Sequence, residues 1–207
     1  MMRIVLIICI FAAIFGVSLF ALQETSHAPL TTQRQETDEE QITLLFVGDI
    51  MLDRGVEYYI EKNGSDWRFP FLNIADFLKK ADLVFANLES VISDKGEKQG
   101  SIYSFRADPQ ALEGLVFAGF DVLSVTNNHS LDYGMDALLD SISRVEGAGI
   151  ATLGAGTNKE AAQKLFIKEI QGTKIGMLAY TNTGSPSWEV GDSTFGVAWV
   201  DEHNLAE

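Results

Sequence analysis

Carboxylates, amides and an imidazole occur in three short polar blocks, each of which follows an apolar run. The blocks are residues 48–54 (GDIMLDR), 87–89 (NLE) and 127–129 (NNH). Hard divalent cations bind carboxylate and carbonyl oxygens, and an imidazole shifts the preference towards transition metals such as Mn, Fe or Zn. These residue types therefore predict a divalent-metal site for chemistry on a phosphate-type substrate.

Four residues of these blocks are the predicted metal ligands. Asp49 is the best candidate to bridge two metal ions, which together can clamp a phosphoryl group and generate hydroxide from bound water. Glu89 and the amide oxygen of Asn128 would complete part of the ligand set. His129 fits two roles, either as a further ligand or as the general acid that protonates the leaving oxygen.

Two further residues near the blocks are predicted to assist the chemistry. Asp132 follows His129 by three positions and could hold its imidazole in one tautomer. The guanidinium of Arg54 could form a bidentate contact with a phosphate or a carboxylate. A surface ion pair between Arg54 and Asp53 is an equally good interpretation. The predicted catalytic group is therefore His129, Asp132 and Arg54.

Alternating strands and helices would bring these blocks together. Each block follows a predicted strand, and helical spacing of apolar residues separates one strand from the next. The pattern predicts an α/β fold with a largely parallel sheet, in which the carboxyl ends of the strands border a common crevice. The predicted strands are 42–47, 83–86 and 122–125, the predicted helices are 71–78, 109–118, 135–145 and 159–164, and the predicted hairpin is 165–170 with 174–180.

The charge of the chain limits its partners. The 207 residues carry a formal net charge of −14. Nucleic acid is not an expected partner, because phosphate backbones are bound by clustered Lys and Arg. An anionic substrate would need metal ions or local arginines to offset the repulsion.

The N-terminus is predicted to anchor the protein in a membrane. Residues 4–22 are apolar or small, apart from Ser18, and at about 1.5 Å per residue they could cross a hydrocarbon core of roughly 30 Å. A cleaved signal peptide is the alternative, but its apolar run would normally be shorter. Arg3 orients the N-terminus inwards. Residues 1–22 are therefore interpreted as a transmembrane anchor, 23–41 as a flexible acidic linker, and 42–207 as one extracytoplasmic domain at the cell membrane.

At the three polar blocks the chain resembles the CapA-type capsule-synthesis proteins, which are associated with poly-γ-glutamate and belong to the calcineurin-like metallophosphoesterase superfamily. The resemblance extends over about residues 42–180 and includes residues 118–121 (AGFD), 127–134 (NNHSLDYG) and 154–158 (GAGTN). It implies a layered α/β sandwich of the metallophosphoesterase type, preceded by one transmembrane helix. It also implies an anionic polymer or phosphoester substrate, with other capsule-synthesis membrane proteins as partners.

The chain departs from the superfamily pattern in two places. Ordinary metallophosphoesterases have a metal-binding histidine two residues after the first aspartate, where this chain has Met51, a feature that CapA-like sequences share. The superfamily also takes histidine ligands from its C-terminal half, and no such block is recognisable here. The resemblance therefore suggests that the C-terminal part of the domain is missing.

Two functional hypotheses follow. In the first, the protein is a metal-dependent hydrolase or transferase that acts on a phosphoester or on γ-linked glutamate polymer outside the cell. In the second, it is a non-catalytic assembly or export component that binds polymer on the same fold. The retained acidic and histidine residues favour the first hypothesis, and Met51 favours the second.

Overall fold

The computed structural model describes residues 5–6 and 41–200. Eleven strands and five α-helices alternate along these parts of the chain, with two short 3₁₀ helices at Phe69–Phe71 and Pro186–Trp188. The strands are β1 (Val5–Leu6), β2 (Leu44–Ile50), β3 (Leu83–Leu88), β4 (Val91–Ile92), β5 (Arg106–Ala107), β6 (Val122–Ser124), β7 (Ala151–Leu153), β8 (Ala155–Gly156), β9 (Phe166–Ile170), β10 (Thr173–Met177) and β11 (Gly196–Val197). The helices are α1 (Gly55–Lys62), α2 (Ala75–Leu78), α3 (Ala111–Ala118), α4 (Gly134–Gly147) and α5 (Lys159–Ala162).

A four-stranded parallel sheet forms the centre of the domain. Its strand order is β2-β3-β6-β7, and every neighbouring pair in it is parallel. Helices lie between successive strands in the chain, as parallel connections require. The predicted α/β class and the parallel sheet are therefore confirmed.

The two faces of this sheet belong to different hydrophobic clusters. In β3, Val84 and Ala86 pack in the cluster that includes the helices, whereas Leu83 and Phe85 pack with strands β9 and β10. Side chains of a strand alternate between its faces, so the sheet is covered by helices on one side and by a hairpin on the other. The described domain is therefore layered as helices, central sheet and hairpin sheet.

The predicted hairpin is confirmed, and its two turn residues have the backbone conformation of a tight turn. Strands β9 and β10 are antiparallel, with Thr173 opposite Ile170. Gln171 and Gly172 between them both have positive φ, 50° and 75°. Positive φ at both central residues is typical of the two-residue turns that match the twist of paired strands.

The central strands extend further than the sequence predicts. Strand β2 ends at Ile50 and β3 at Leu88. Asp49 and Asn87 therefore lie inside these strands and not in the loops after them. Their register shifts between Phe46 and Asp49, and pairing then resumes with Asp49 opposite Asn87. The prediction that the first two blocks begin where a strand stops is wrong, because backbone pairing continues through polar residues once an irregularity has restored the register.

The helical predictions hold except in the segment 71–78. Helix α4 agrees with the regular spacing of residues 135–145, and α3 and α5 also form where expected. In place of one helix over 71–78, the chain forms the 3₁₀ helix Phe69–Phe71 and the single turn α2. Ile74 separates them with a non-helical φ of −121°, and its side chain is 43% exposed.

The predicted anchor and linker lie outside the described residues, except for Val5, Leu6 and Gln41. Val5 and Leu6 form β1, which pairs in parallel with Ile175 and Gly176 of β10. Among the helices of residues 41–200, none combines the length and the apolar character needed to cross a membrane. Residues 201–207 also lie outside the described part of the chain.

Helix α4 binds residues 93–95, which follow strand β4. The Asp140 carboxylate accepts hydrogen bonds from Ser93 Oγ at 2.7 Å and Arg144 Nε at 2.6 Å, and pairs with Lys95 Nζ at 2.8 Å. Arg144 also reaches the carboxylate of Asp94 at 2.7 Å. Burial alone would raise the pKa of Asp140, but these partners lower it from 3.8 to about 2.

The ion pairs of Asp140 should make the free energy of unfolding depend on pH in the acidic range. The folded pKa of Asp140 is below its unfolded value, so its contribution is complete above about pH 4 and is lost as the pH falls towards 2. We expect the wild type to lose about 1–2 kcal/mol of unfolding free energy in this interval relative to Asp140→Asn. Urea denaturation of both proteins at several pH values measures the difference, and parallel pH profiles would contradict the assignment.

Candidate metal and hydrolytic site

The carboxylates of Asp49 and Glu89 meet at one amide. Asp49 lies opposite Asn87 in the β2–β3 ladder, and Glu89 follows the end of β3. The Nδ2 group of Asn87 donates to Asp49 Oδ1 at 2.8 Å and to Glu89 Oε2 at 2.8 Å. The parallel register therefore brings together two acidic side chains that are forty positions apart in the sequence.

Asn127 holds this arrangement against the next strand. Its Nδ2 group donates to Asn87 Oδ1 at 3.0 Å and to the carbonyl oxygen of Leu88 at 2.9 Å. Its Oδ1 accepts the backbone N–H of His129 at 2.8 Å, and its own N–H donates to Ser130 Oγ at 2.8 Å. Sequence analysis did not assign Asn87 or Asn127 to the site. Their place inside the polar blocks was the available signal, since an amide can donate and accept simultaneously.

His129 lies between two carboxylates. Its Nδ1 is 2.7 Å from Asp132 Oδ2, and its Nε2 is 3.5 Å from Glu89 Oε1. The same Asp132 oxygen accepts the backbone N–H of Phe105 at 2.8 Å. A carboxylate that accepts from Nδ1 leaves Nε2, on the other side of the ring, as the atom that faces Glu89.

Electrostatic repulsion is concentrated on Glu89. Partial burial and, after it, the neighbouring carboxylate of Asp49 raise the pKa of Glu89 above its usual value. His129 and the Asn87 hydrogen bond oppose this rise. A positive charge between Asp49 and Glu89 would relieve the repulsion, which is the electrostatic condition that favours cation binding.

Arg54 lies against aromatic side chains near this cluster. Its guanidinium carbon is 5.6 Å from the ring centre of Phe105 and 6.0 Å from that of Tyr103. Phe105 in turn packs on His129 with ring centres 4.3 Å apart. Within residues 41–200 Arg54 forms no ion pair, while the Asp53 carboxylate accepts the backbone N–H of Arg106. The surface pair between Arg54 and Asp53 is therefore absent from the described residues.

Asn128 lies beside the cluster without joining it by a hydrogen bond. Its side chain is exposed, and it lines a cavity of about 480 Å³ together with His129, Phe105 and Trp188. The structure thus brings Asp49, Glu89, His129 and Asp132 into one connected group. Arg54 lies against the Phe105 ring, and Asn128 lines the cavity.

The metal site stays a prediction from the sequence. Across residues 5–6 and 41–200, no group of three or more His, Cys, Asp and Glu side chains is arranged to hold a metal ion. Asp49, Glu89 and the Nε2 of His129 are nevertheless donors that Mn, Fe and Zn accept. Met51 accepts the backbone N–H of Asp53 through its sulfur at 3.3 Å. These ligand atoms suit a divalent cation, although in the structure the Nδ2 group of Asn87 donates hydrogen bonds to both carboxylates.

The three polar blocks lie within a segment that matches a known protein family. The chain belongs to the family described as bacterial capsule synthesis protein PGA_cap, which matches residues 43–204. This finding confirms the family resemblance seen in the sequence, and the relatives below agree with it.

Three relatives show how far the similarity extends. The chain is 26% identical to the capsule biosynthesis protein CapA of Bacillus anthracis over 84% of this chain and 43% of that protein. It is 26% identical to the PGA biosynthesis protein CapA of Bacillus subtilis over 79% of this chain and 43% of that protein. A probable polyglutamine synthesis accessory protein of Mycobacterium tuberculosis is 27% identical over 71% of this chain and 48% of its own length. The chain therefore spans less than half the length of these relatives.

Proposed function

We propose that this protein takes part in the synthesis or export of a poly-γ-glutamate capsule, as a membrane-anchored protein with its domain outside the cytoplasm. Membership of the capsule-synthesis family supports the process, and the name of the Bacillus subtilis relative, PGA biosynthesis protein CapA, supports the polymer. The apolar residues 4–22 support the anchor. Expected partners are the anionic polymer or a phosphoester, together with other membrane proteins of capsule synthesis.

The proposed chemistry is metal-dependent hydrolysis or transfer at the cluster around His129. One observation carries it: the carboxylates of Asp49 and Glu89 meet at Asn87, and the imidazole of His129 lies 3.5 Å from Glu89. Asp49, Glu89 and His129 would hold a divalent cation such as Mn, Fe or Zn, with Asn128 as the fourth ligand proposed from the sequence. A bound cation would polarise a phosphoryl or carbonyl oxygen of the substrate.

The remaining residues would orient the substrate and the proton. Asp132 keeps the proton of His129 on Nδ1, so Nε2 is the atom that can bind the cation or exchange a proton with a leaving oxygen. The ring of Phe105 covers one side of the imidazole and limits the access of water. The Arg54 guanidinium would bind a carboxylate or phosphate of an anionic substrate.

Metal binding by the full chain tests this site. We expect Asp49→Ala and His129→Ala each to weaken Mn²⁺ binding at least tenfold in titration calorimetry, because each removes a proposed ligand. Both variants should also lose Mn²⁺-dependent cleavage of a generic phosphodiester or of γ-linked glutamate polymer. Glu61→Ala, an exposed carboxylate on α1, is the matched control and should behave like the wild type. Unchanged Mn²⁺ affinity in both site variants would refute the assignment.

A non-catalytic role on the same fold is the second candidate. Met51 replaces a common histidine ligand, and residues 41–200 contain no arranged cluster of three acidic, histidine or cysteine ligands. In this role the protein would bind polymer or membrane partners during assembly. Capsule formation should then survive Asp49→Asn but not deletion of the protein. A capsule-negative Asp49→Asn strain with normally folded protein would exclude this role.

A further inference from the structure

The cavity beside His129 has walls of an unusual composition for a protein of this charge. Its volume of about 480 Å³ lies within the range of about 300–1,000 Å³ found for small-molecule sites. Three aromatic residues line it, Tyr103, Phe105 and Trp188. Such rings offer flat apolar surfaces against which a ligand ring can pack.

Two of these aromatic rings have free surface, and the third is fixed. Tyr103 is 59% exposed, and Trp188 is partly exposed on the 3₁₀ helix Pro186–Trp188. A Cβ atom at Gly184 would lie 2.6 Å from the Trp188 ring, so the missing side chain there lets the indole lie close to the backbone. Phe105 is held between His129 and Arg54. The cavity therefore has two accessible ring surfaces and one fixed wall.

Besides His129 and Asp132, neutral polar groups line the cavity. Ser101 and Gln99 line it with a hydroxyl and an amide, and Asn128 adds an exposed amide. The Gln99 amide nitrogen donates to the carbonyl oxygen of Glu97 at 2.7 Å, which leaves its oxygen as an acceptor for a ligand. Ser101 Oγ accepts the backbone N–H of Tyr103 at 3.1 Å, which leaves its hydroxyl proton as a donor. Donors and acceptors thus occur together.

The charged groups at the cavity wall do not suit an anion. Among its lining residues, all within the described part of the chain, there is no Lys or Arg. The ionisable pair His129 and Asp132 is engaged with itself, and Arg54 is stacked against Tyr103 and Phe105 without lining the cavity. An anion buried there would lose hydration without gaining a cationic partner, which is costly. The walls suit an uncharged ligand.

We propose that this cavity is a binding site for an uncharged pyranose unit of a glycan, beside the proposed cation site, with which it shares His129 and Asn128. A pyranose has apolar C–H faces, which would pack on Trp188 and Tyr103, and hydroxyl edges, which would bond to Gln99, Ser101 and Asn128. The recognition chemistry needs no metal and no charged ligand group. The site would hold a glycan next to the imidazole of His129.

Tryptophan fluorescence of the full chain tests binding directly. Trp67 and Trp199 are only 5% and 8% exposed, so Trp188 is the tryptophan that a ligand in the cavity can reach. We expect cellotetraose or tetra-N-acetylchitotetraose to shift the emission, and Trp188→Phe to abolish that shift. Glucose in a parallel arm separates binding of a free sugar from binding of a glycan chain. A γ-linked glutamate oligomer is the anionic comparison and should not compete.

Variants measured by calorimetry make the proposal decisive. Trp188→Ala and Tyr103→Ala should each weaken binding of the tetrasaccharide at least tenfold, whereas Tyr58→Ala, an equally exposed tyrosine on α1, should not. Circular dichroism spectra that match the wild type would show that the variants are folded. Absence of binding by every saccharide at 10 mM would overturn the proposal. Displacement by the glutamate oligomer, or equal loss in Tyr58→Ala, would also overturn it.

Discussion

Replacement of Asn127 by alanine should lower the free energy of unfolding by about 3 kcal/mol. The side chain is 7% exposed and makes three hydrogen bonds, to Asn87, to the Leu88 carbonyl and from the His129 backbone. Alanine would leave these partners without a replacement in a buried place, at a cost of about 1–3 kcal/mol for each group left unsatisfied. Urea denaturation followed by circular dichroism measures the change.

The neighbouring residue provides the control for this prediction. Asn128 is exposed, and its side chain makes no hydrogen bond with any described residue, so Asn128→Ala should change stability by less than about 0.5 kcal/mol. Asn127→Ala should also weaken Mn²⁺ binding, because Asn87 would lose the bond that orients it between the carboxylates. A loss below about 1 kcal/mol for Asn127→Ala would contradict its role as the link between β3 and the segment after β6.

Replacement of Gly154 by alanine should have a comparable effect through sterics. Gly154 has φ of +93°, and a Cβ atom there would lie 2.1 Å from Cγ2 of Thr126 and 3.0 Å from the carbonyl oxygen of Ala179. The backbone conformation costs about 1–2 kcal/mol for any other residue, and the overlap adds about 1–3 kcal/mol. We expect a total loss of about 3 kcal/mol, measured by urea denaturation.

Gly172 separates the two contributions to this loss. It also has a positive φ, +75°, but nothing lies within 4 Å of the position that its Cβ would occupy. Gly172→Ala should therefore cost only the conformational part, about 1 kcal/mol. Equal losses in the two variants would mean that the close packing between Gly154 and Thr126 does not matter.

Local patterns predict the elements of this fold better than their ends. The α4 helix follows the apolar spacing of residues 135–145, and the hairpin follows the turn residues at 171–172. The ends of β2 and β3 could not be predicted, because they depend on pairing between Asp49 and Asn87, which is a contact between distant segments. Ile74 shows the same limit, since its apolar character suits a helix but tertiary packing leaves it exposed.

The acidic residues of the site were visible in the sequence, but their supports were not. Asp49, Glu89 and His129 have side chains whose chemistry suggests a role even in isolation. Asparagine is common in turns, so the residue type at positions 87 and 127 gives little indication of a role in the site. The importance of Asn87 and Asn127 arises from two hydrogen bonds that only the folded register creates, one between β3 and β2 and one between the segment after β6 and β3.

The shared acceptor at Asp132 couples two parts of the molecule mechanically. One oxygen of this carboxylate receives both the ring of His129 and the backbone of Phe105. A displacement of Phe105 would therefore break or shift the hydrogen bond between Asp132 and the imidazole of His129. A ligand too large for the cavity would have to displace Phe105 and would thereby tilt the His129 imidazole. Such a ligand would therefore lose the alignment of the imidazole as it entered.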